Sequence, residues 1–183
     1  LKELLESSEY AKVLVNAAFD YRVLLNAYGI RMSKVKDLML QEQILNAGDL
    51  NPKAGLADLA EKYTDFRFMD SNQLDLFATT PEVVLHKGIR KGFKHLGDKP
   101  FSKQELEYMV YDCILPSLIS PKQEKRLYNE SLHRTADFEN SVVLVVAEME
   151  NNGMPLSQPQ WLELYERQKK LYNESYHALI DCI

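Results

Sequence analysis

The stretch Val13-Leu-Val-Asn-Ala-Ala-Phe-Asp20 changes its hydrophobic period partway along. Its first three residues are apolar and mostly β-branched, which predicts a short buried strand. After Asn16 the apolar residues recur at helical spacing, so we predict a helix that leaves the strand and carries Asp20 in its first turn. Open α/β sheets bind ligands at the carboxyl ends of their strands, and we expect Asp20 to face such a crevice. The alternative is that this carboxylate only offsets the helix dipole.

A second predicted helix carries two polar side chains on one face. Ser102-Lys-Gln-Glu105 has the pattern of a capping box, and apolar residues follow it at helical spacing. Tyr108 and Asp112 are four positions apart, so both project from the same side. A carboxylate can hold a divalent cation and a phenol can orient a water molecule, which suits a hydrolytic site. The alternative is a solvent-facing tyrosine and aspartate on an ordinary amphipathic helix.

Taken in order, these stretches resemble a known family. Asn16-Ala-Ala-Phe-Asp20 resembles the second motif of the proofreading 3′–5′ exonucleases, which are DnaQ-like, and Tyr108-Met-Val-Tyr-Asp112 resembles the third motif. The intervening residues 28–63 are similar to the same family. Glu150-Asn-Asn-Gly-Met-Pro-Leu-Ser157 resembles the junction between exonuclease and thumb in family A DNA polymerases. The resemblance spans nearly the whole chain and is loosest over residues 66–100.

The resemblance implies a fold and a division of the chain. The fold class is α/β, a ribonuclease-H-like exonuclease fold whose N-terminal strands would be missing from this chain. We expect residues 1–128 to form this partial exonuclease-like domain. Residues 129–183 are expected to form a helical hairpin that resembles the start of the polymerase thumb.

Hydrophobic spacing gives a coarse map of the elements. Predicted helices cover about 2–8, 18–28, 36–47, 56–63, 81–94, 103–119, 122–150 and 157–182, and predicted strands cover about 12–16 and 30–35. Pro121 is interpreted as a stop between two of these helices. The run Val142–Val146 could be a strand on propensity alone, but the spacing around it favours a helix.

The resemblance also implies roles for the residues of the two motifs. Asp112 would be a direct metal ligand, and Asp20 would contribute to a second metal through water. Tyr108 would orient the nucleophile, and Asn16 would contact the terminal nucleotide. The implied cofactors are Mg²⁺ or Mn²⁺ in a two-metal site. The implied partners are a single-stranded DNA 3′ end and the remainder of the polymerase.

The chain departs from the family at the first motif, an Asp-x-Glu on an early strand. Only residues 1–11 precede the first predicted strand, and they predict a helix. Asp137-Phe-Glu139 also has the pattern Asp-x-Glu, but it follows the third motif, and we interpret it as a coincidence. We therefore expect an incomplete metal site and a fragment that is inactive alone. The alternatives are a catalytically silent domain that braces a polymerase, or a ribonuclease D-like RNA exonuclease.

Positive charge is concentrated in residues 86–103, although the net charge of −5 argues against an extended nucleic-acid surface. A helix from about Pro81 would place several of its basic side chains on one face, suited to phosphate contact. Gly88 and Gly92 weaken this helix, and a solvated face is the alternative. The candidate substrate-binding residues of this face are Lys87, Arg90, Lys91 and Lys94.

Composition limits the remaining possibilities. The hydrophobic share of 45% is ordinary for a globular protein, and no apolar run reaches the ~20 residues that a membrane span needs. Cys113 and Cys182 have no metal-ligand spacing, and isolated cysteines indicate a reducing compartment. We expect a cytoplasmic protein of a bacterial or phage type without a membrane partner.

Overall fold

The computed structural model describes residues 1–49, 52–69, 84–86 and 99–180. Within them the chain forms helices and short parallel strands, a mixed α/β arrangement that is mostly helical. The chain divides into two compact units, Leu1–Met149 and Glu150–Ile183. The predicted boundary after residue 128 divides the exonuclease-like region from the thumb-like region, and this division stays a prediction.

The helices and strands of the described residues have the following bounds. The strands are β1 Lys12–Leu14, β2 Val35–Asp37, β3 Arg67–Met69 and β4 Val84–His86. The helices are α1 Lys2–Glu6, α2 Ala17–Tyr28, α3 Leu38–Leu45, α4 Leu56–Tyr63, α5 Lys103–Asn129, α6 His133–Asn152 and α7 Gln158–Ile180.

Strands β1 and β2 pair in parallel and are joined through α2. Lys12 pairs with Val35 and Leu14 pairs with Asp37, so both strands end at the same edge. The predicted strand and helix around Asn16 are therefore confirmed to within two residues. The strand predicted near 30–35 begins only at Val35 and reaches Asp37. Helices α2 and α3 both begin at this edge, and this places their first turns beside each other.

The core of the larger unit has two main apolar clusters. The first joins α3, α4 and α5 through Leu38, Leu59, Leu115 and Ile119, with β1 packed against it. The second surrounds the other side of the β1–β2 pair and includes residues of α2 and α6, among them Tyr21 and Ala147. The β1–β2 pair is thus packed against α5 through the first cluster and against α6 through the second.

Helix α5 continues through both of its prolines. Pro121 was predicted to end a helix, and that prediction was wrong, because α5 runs from Lys103 to Asn129. Each proline removes one backbone hydrogen bond. Tertiary contacts hold the helix on both sides of Pro121: Ile119 is fully buried, and the side chain of Gln123 donates to the carbonyl of Leu38 at 3.2 Å. Local propensity is overridden by packing here.

The long helix predicted over 122–150 is interrupted at residues 130–132. Ser131 has a left-handed backbone with φ 58°, and the amide of Leu132 donates to the carbonyl of Leu127 at 2.8 Å. This pattern ends a helix in the manner of a Schellman motif, usually with glycine at the left-handed position. The sequence has no glycine or proline there, so the break was not predicted. The helix over Val142–Val146 is confirmed, because α6 includes it.

A strand replaces part of the helix predicted over 81–94. Val84–His86 form β4, which pairs in parallel with β3, so the helix prediction was wrong at these residues. β-branched and other apolar side chains favour a strand once a partner supplies the ladder of hydrogen bonds. Lys87, Arg90, Lys91 and Lys94 lie outside the described residues, so the predicted basic face stays a prediction.

The smaller unit contains helix α7. Gly153, which precedes it, has φ +65°, the left-handed conformation in which glycine commonly follows the end of a helix. Every residue of α7 is exposed, including Trp161, Tyr172 and Leu179. In the part of the chain that can be described, none of the helices combines the length and the hydrophobicity that crossing a membrane requires.

Candidate active site

A cavity of about 340 Å³ opens at the carboxyl ends of β1 and β2. The two motifs singled out in the sequence both contribute to its wall. Asn16 and Asp20 line it from the start of α2, and Tyr108 and Asp112 line it from α5. The other lining residues are Val13, Leu14, Val15, Phe19, Met39, Gly55, Leu56 and Pro116. We call this cavity the cleft.

Helix α5 presents one row of side chains to the cleft. Tyr108, Asp112 and Pro116 follow one another at intervals of four residues, which places them along one side of a helix. Leu115 and Ile119 point instead into the first core cluster, where both are fully buried. The capping box predicted at the start of α5 is confirmed, since Ser102 accepts from the amide of Glu105 at 3.3 Å and the Glu105 carboxylate accepts from the amide of Ser102 at 2.7 Å. Packing and capping together determine which side of α5 faces the cleft.

Helix α2 begins at an unusual backbone conformation. Asn16 has φ 68° and ψ 56°, the left-handed region in which asparagine is among the better-tolerated residues. The carboxylate of Asp37 accepts hydrogen bonds from the amide of Asn16 at 3.0 Å and from the amide of Ala17 at 2.8 Å. This turn is one helical turn away from Asp20, which is half-buried. The position of Asp20 therefore depends on it.

A polar contact on the far side of α2 ties it to α6. The hydroxyl of Tyr21 donates to Glu148, and the guanidinium of Arg31 donates to the same carboxylate oxygen at 2.6 Å. Burial and then the Glu148 hydrogen bond raise the pKa of Tyr21, while the hydrogen bonds from Tyr21 and Arg31 lower the pKa of Glu148. Tyr21 follows Asp20 directly, so this contact helps to set the rotation of α2.

A buried carboxylate network fixes α5 against α3 and α4. Glu42 is fully buried and accepts from the hydroxyl of Tyr63 at 2.7 Å and from Nε2 of Gln123 at 2.8 Å. Burial by itself would raise the pKa of Glu42, but hydrogen bonds from Lys62, Tyr63 and other neighbours outweigh it and hold the pKa below its usual range. Arg126 of α5 donates to the Tyr63 hydroxyl at 2.7 Å. The network therefore anchors the helix that carries Tyr108 and Asp112.

The cleft brings together the predicted residues that the structure describes. Asn16, Asp20, Tyr108 and Asp112 all line it. Asp137, from the Asp-x-Glu set aside in the sequence, lines a separate cavity of about 110 Å³. A wider opening of about 420 Å³ between the end of α3 and α4 contains neither motif. The cleft is therefore the place where the candidate chemistry concentrates.

Sequence reasoning missed several residues of the cleft. Phe19 and Met39 line it, and the carboxylate of Asp37 holds the turn at the start of α2 without lining the cleft itself. In the sequence Phe19 is one of the apolar residues at helical spacing after Asn16, and that spacing does not indicate a place in a cleft. Asp37 precedes an apolar helix, which is a recognisable capping signal, and it does accept from the amides of Met39 and Leu40. Its contact with Asn16 joins residues 21 positions apart, and no local pattern reveals such a contact.

The carboxylates of the cleft are suitable ligands for a divalent cation, but the described residues supply too few of them for a complete site. Carboxylate oxygens are the ligands that Mg²⁺ and Mn²⁺ prefer, and Asp20 and Asp112 supply them on facing elements. Within residues 1–49, 52–69, 84–86 and 99–180, however, no three His, Cys, Asp or Glu side chains lie close enough to form a metal-binding group. The described part of the cleft can thus supply part of a metal site.

Comparison with known proteins identifies the family. A family model described as a 3′–5′ exonuclease, of the DNA polymerase A type, matches residues 1–122. These residues include every residue that lines the cleft, and they make up about two thirds of the chain. No curated protein matches the chain. The match confirms the resemblance to the exonuclease domain of a family A polymerase, and the chain belongs to the family of 3′–5′ exonuclease domains of the DNA polymerase A type.

Proposed function

We propose that this chain forms part of a site that removes nucleotides from a DNA 3′ end, within a ribonuclease-H-like fold of a proofreading family A DNA polymerase. The observation that carries the proposal is the shared lining of the cleft. Two stretches about ninety residues apart in sequence, one with Asn16 and Asp20 and the other with Tyr108 and Asp112, contribute to one cavity. The cavity lies at the ends of parallel strands, where such folds bind ligands.

Each polar residue of the cleft has a role in this proposal. Asp112 would bind a divalent cation directly, and Asp20 would contribute to a second one through water; such a cation, when bound, stabilises charge and lowers the pKa of water. The hydroxyl of Tyr108, one turn before Asp112, would accept or donate a hydrogen bond that orients the attacking water. Asn16 is exposed at the rim and would contact the terminal nucleotide. Water adds to phosphorus, the bond from phosphorus to the 3′ oxygen of the preceding nucleotide breaks, and that oxygen takes up a proton to become a 3′ hydroxyl. The terminal nucleotide is released as a nucleoside 5′-monophosphate.

The apolar residues of the cleft have a part in the same reaction. Phe19 and Met39 line it beside the polar groups, and Phe19 is exposed. Aromatic side chains offer a face on which a nucleobase can stack, whatever its identity. An exonuclease that accepts every base needs this kind of contact more than base-edge hydrogen bonds. Phe19 is therefore the base-stacking residue in the proposal.

The two carboxylates would hold cations only weakly. Two-metal sites place cations roughly 3.5–4 Å apart and need enough negative charge to offset both. Asp20 and Asp112 alone do not supply it, so we propose that a polypeptide of these 183 residues has no appreciable exonuclease activity by itself. Further carboxylates from outside these 183 residues would complete the site. The helical segment 129–183 would begin the polymerase thumb.

A catalytically silent domain that braces a polymerase is the second candidate. The observation that favours it is the absence, among the residues whose structure is described, of a group of three potential metal ligands. A ribonuclease D-like RNA exonuclease is the other alternative, and parallel assays on DNA and RNA strands distinguish it from a DNA exonuclease. A silent domain would bind neither cation nor nucleic acid at the cleft.

Calorimetric titration with Mn²⁺ tests the proposal. The chain should bind Mn²⁺ weakly, and Asp112→Asn and Asp20→Asn should each reduce the affinity by tenfold or more, because each removes about half of the described carboxylate charge. Asp137→Asn is the matched control, since Asp137 lines a different cavity. Labelled DNA and RNA strands report activity in parallel. Equal affinities for all four proteins would refute the metal site, and Asp112-dependent release of mononucleotides by this chain alone would refute the proposed inactivity.

A further inference from the structure

We propose that Asp37 is a positioning residue for the cleft. Its buried carboxylate holds the Asn16–Ala17 turn and thereby the start of the helix that carries Asp20. The expected effect of Asp37 on metal binding rests on the proposed function. Its effect on the turn rests on geometry alone. No motif of the sequence assigned Asp37 to the site.

The Asp37 carboxylate serves the first turns of two helices at once. Oδ1 accepts from the amide of Asn16 at 3.0 Å and Oδ2 accepts from the amide of Ala17 at 2.8 Å, both at the start of α2. Oδ1 also accepts from the amides of Met39 at 3.0 Å and Leu40 at 3.4 Å, at the start of α3. Helix N-termini carry unpaired amides that favour a negative charge. One carboxylate therefore joins the two helices that begin at the edge of the sheet.

This contact is buried, and it constrains a costly backbone conformation. Asp37 is only 3% exposed, so little water competes for its oxygens. Asn16 is left-handed with φ 68°, a conformation that non-glycine residues keep only when their surroundings enforce it. The carbonyl of Asn16 accepts from the amide of Phe19 at 3.0 Å, which starts α2. Asp37 thus enforces the turn that sets the direction of α2.

Asp37 is itself held by a residue that lies outside the part of the chain matching the exonuclease family. The amide of Asp37 donates to Oδ1 of Asn140 at 2.8 Å, in a buried contact over 103 positions. Asn140 lies in α6, beyond the matched residues 1–122. Helix α6 also holds α2 through Glu148 and Tyr21. The segment that follows the matched domain therefore helps to hold the cleft in place.

The geometry predicts a specific effect of Asp37→Asn. The substitution keeps the size and one oxygen, but it places an NH₂ donor where an acceptor is needed. With the oxygen facing Asn16 and Met39, the new NH₂ opposes the amide of Ala17, and neither of these two donors has an acceptor. The amide of Asn16 keeps only a neutral oxygen in place of a carboxylate, so its hydrogen bond weakens as well. The start of α2 should shift or loosen, and Asp20 moves with it relative to Asp112. Residues that orient metal ligands indirectly typically change metal affinity by about 10–100-fold, and we expect about tenfold here.

Two measurements on the 183-residue chain test the proposal. Hydrogen exchange by NMR should show the amides of Asn16 and Ala17 exchanging at least tenfold faster in Asp37→Asn, beyond the change in global stability. Titration with MnCl₂ should show the affinity falling about tenfold. Leu127→Ala is the control, since Leu127 is buried in a cluster away from the cleft. It should lower the melting temperature at least as much, yet change Mn²⁺ affinity by less than twofold.

The outcomes separate this inference from the proposed function. Faster exchange at Asn16 and Ala17 with reduced Mn²⁺ affinity supports the positioning role. Unchanged exchange at these two amides overturns it, whatever the metal does. Equal losses of affinity in Asp37→Asn and Leu127→Ala also overturn it, because a general loss of stability would then suffice. If the unsubstituted chain binds no Mn²⁺, the proposed function fails, and the exchange measurement alone decides the role of Asp37.

Discussion

Changing Glu42 to glutamine should lower the free energy of unfolding by about 2–3 kcal/mol. Removing one partner of a buried ion pair typically costs about 3–5 kcal/mol, because the remaining charge stays buried. Here the positive partners can partly turn to water, since the side chains of Lys62 and Arg126 are 42% and 32% exposed while that of Glu42 is 0% exposed. This places the expected loss below the usual range. Part of the loss arises because the new amide cannot accept from both Tyr63 and Asn46.

Urea unfolding followed by far-ultraviolet circular dichroism measures this loss. With a typical dependence of about 1–3 kcal/mol per molar urea, the midpoint at pH 7 should fall by roughly 0.7–3 M. Glu124→Gln is a matched control, because Glu124 makes an ion pair with Lys36 and its side chain is 40% exposed. An exposed pair contributes about 0–1 kcal/mol, so this variant should unfold near the unsubstituted chain.

The pH dependence of the same measurement gives a second test. The pKa of Glu42 is lowered in the folded state, so its contribution is present above the unfolded pKa and is lost as the pH falls through the folded value. The difference between Glu42→Gln and the unsubstituted chain should therefore shrink at acid pH. A midpoint shift no larger than that of Glu124→Gln, or a difference that does not change with pH, would refute the reasoning about the network.

Three further predictions concern Tyr63, Tyr21 and the cleft. Burial raises the pKa of Tyr63 from 10.0 to about 12, so stability present below pH 10 should be lost as the pH rises through 12, and Tyr63→Phe should show a shallower decline in alkaline unfolding. Tyr21→Phe keeps the packed ring but removes the bond to Glu148, and thermal unfolding should show a loss of about 1 kcal/mol. In an intact polymerase with a complete site, Asp112→Ala should abolish nucleotide removal and leave synthesis unchanged, while Tyr108→Phe should reduce removal by at most ~10²–10⁴-fold. Primer extension and 3′-end degradation assays separate the two activities, and parallel loss of synthesis would favour a bracing role.

Local patterns predicted the elements that carry the cleft. The change of period at Asn16 located β1 and α2, and the capping box at Ser102 located the start of α5. The spacing of Tyr108 and Asp112 placed both on one face, and both line the cleft. These features depend on residues within a few positions of one another, which is why the sequence alone predicts them.

Long-range contacts decided what the sequence did not predict. Helix α5 passes through Pro121 because Ile119 and Gln123 are held by α3 and its surroundings. Ser131 ends the same helix without the glycine that usually marks such a stop. Asp37 supports the turn at Asn16 across 21 positions, through oxygens that a capping pattern would assign only to its own helix. Tertiary contacts of this kind leave no periodic signal.

The location of bound Mn²⁺ tests the central claim most directly. The paramagnetic ion broadens the NMR signals of nearby amides, so a titration of the labelled chain shows which residues surround the site. We predict that the amides around Asp20 and Asp112 broaden together and first, since both residues line one cleft. Their broadening should disappear in Asp112→Asn and persist in Asp137→Asn. Broadening that begins around Asp137, or that affects only one of the two motifs, would contradict the account.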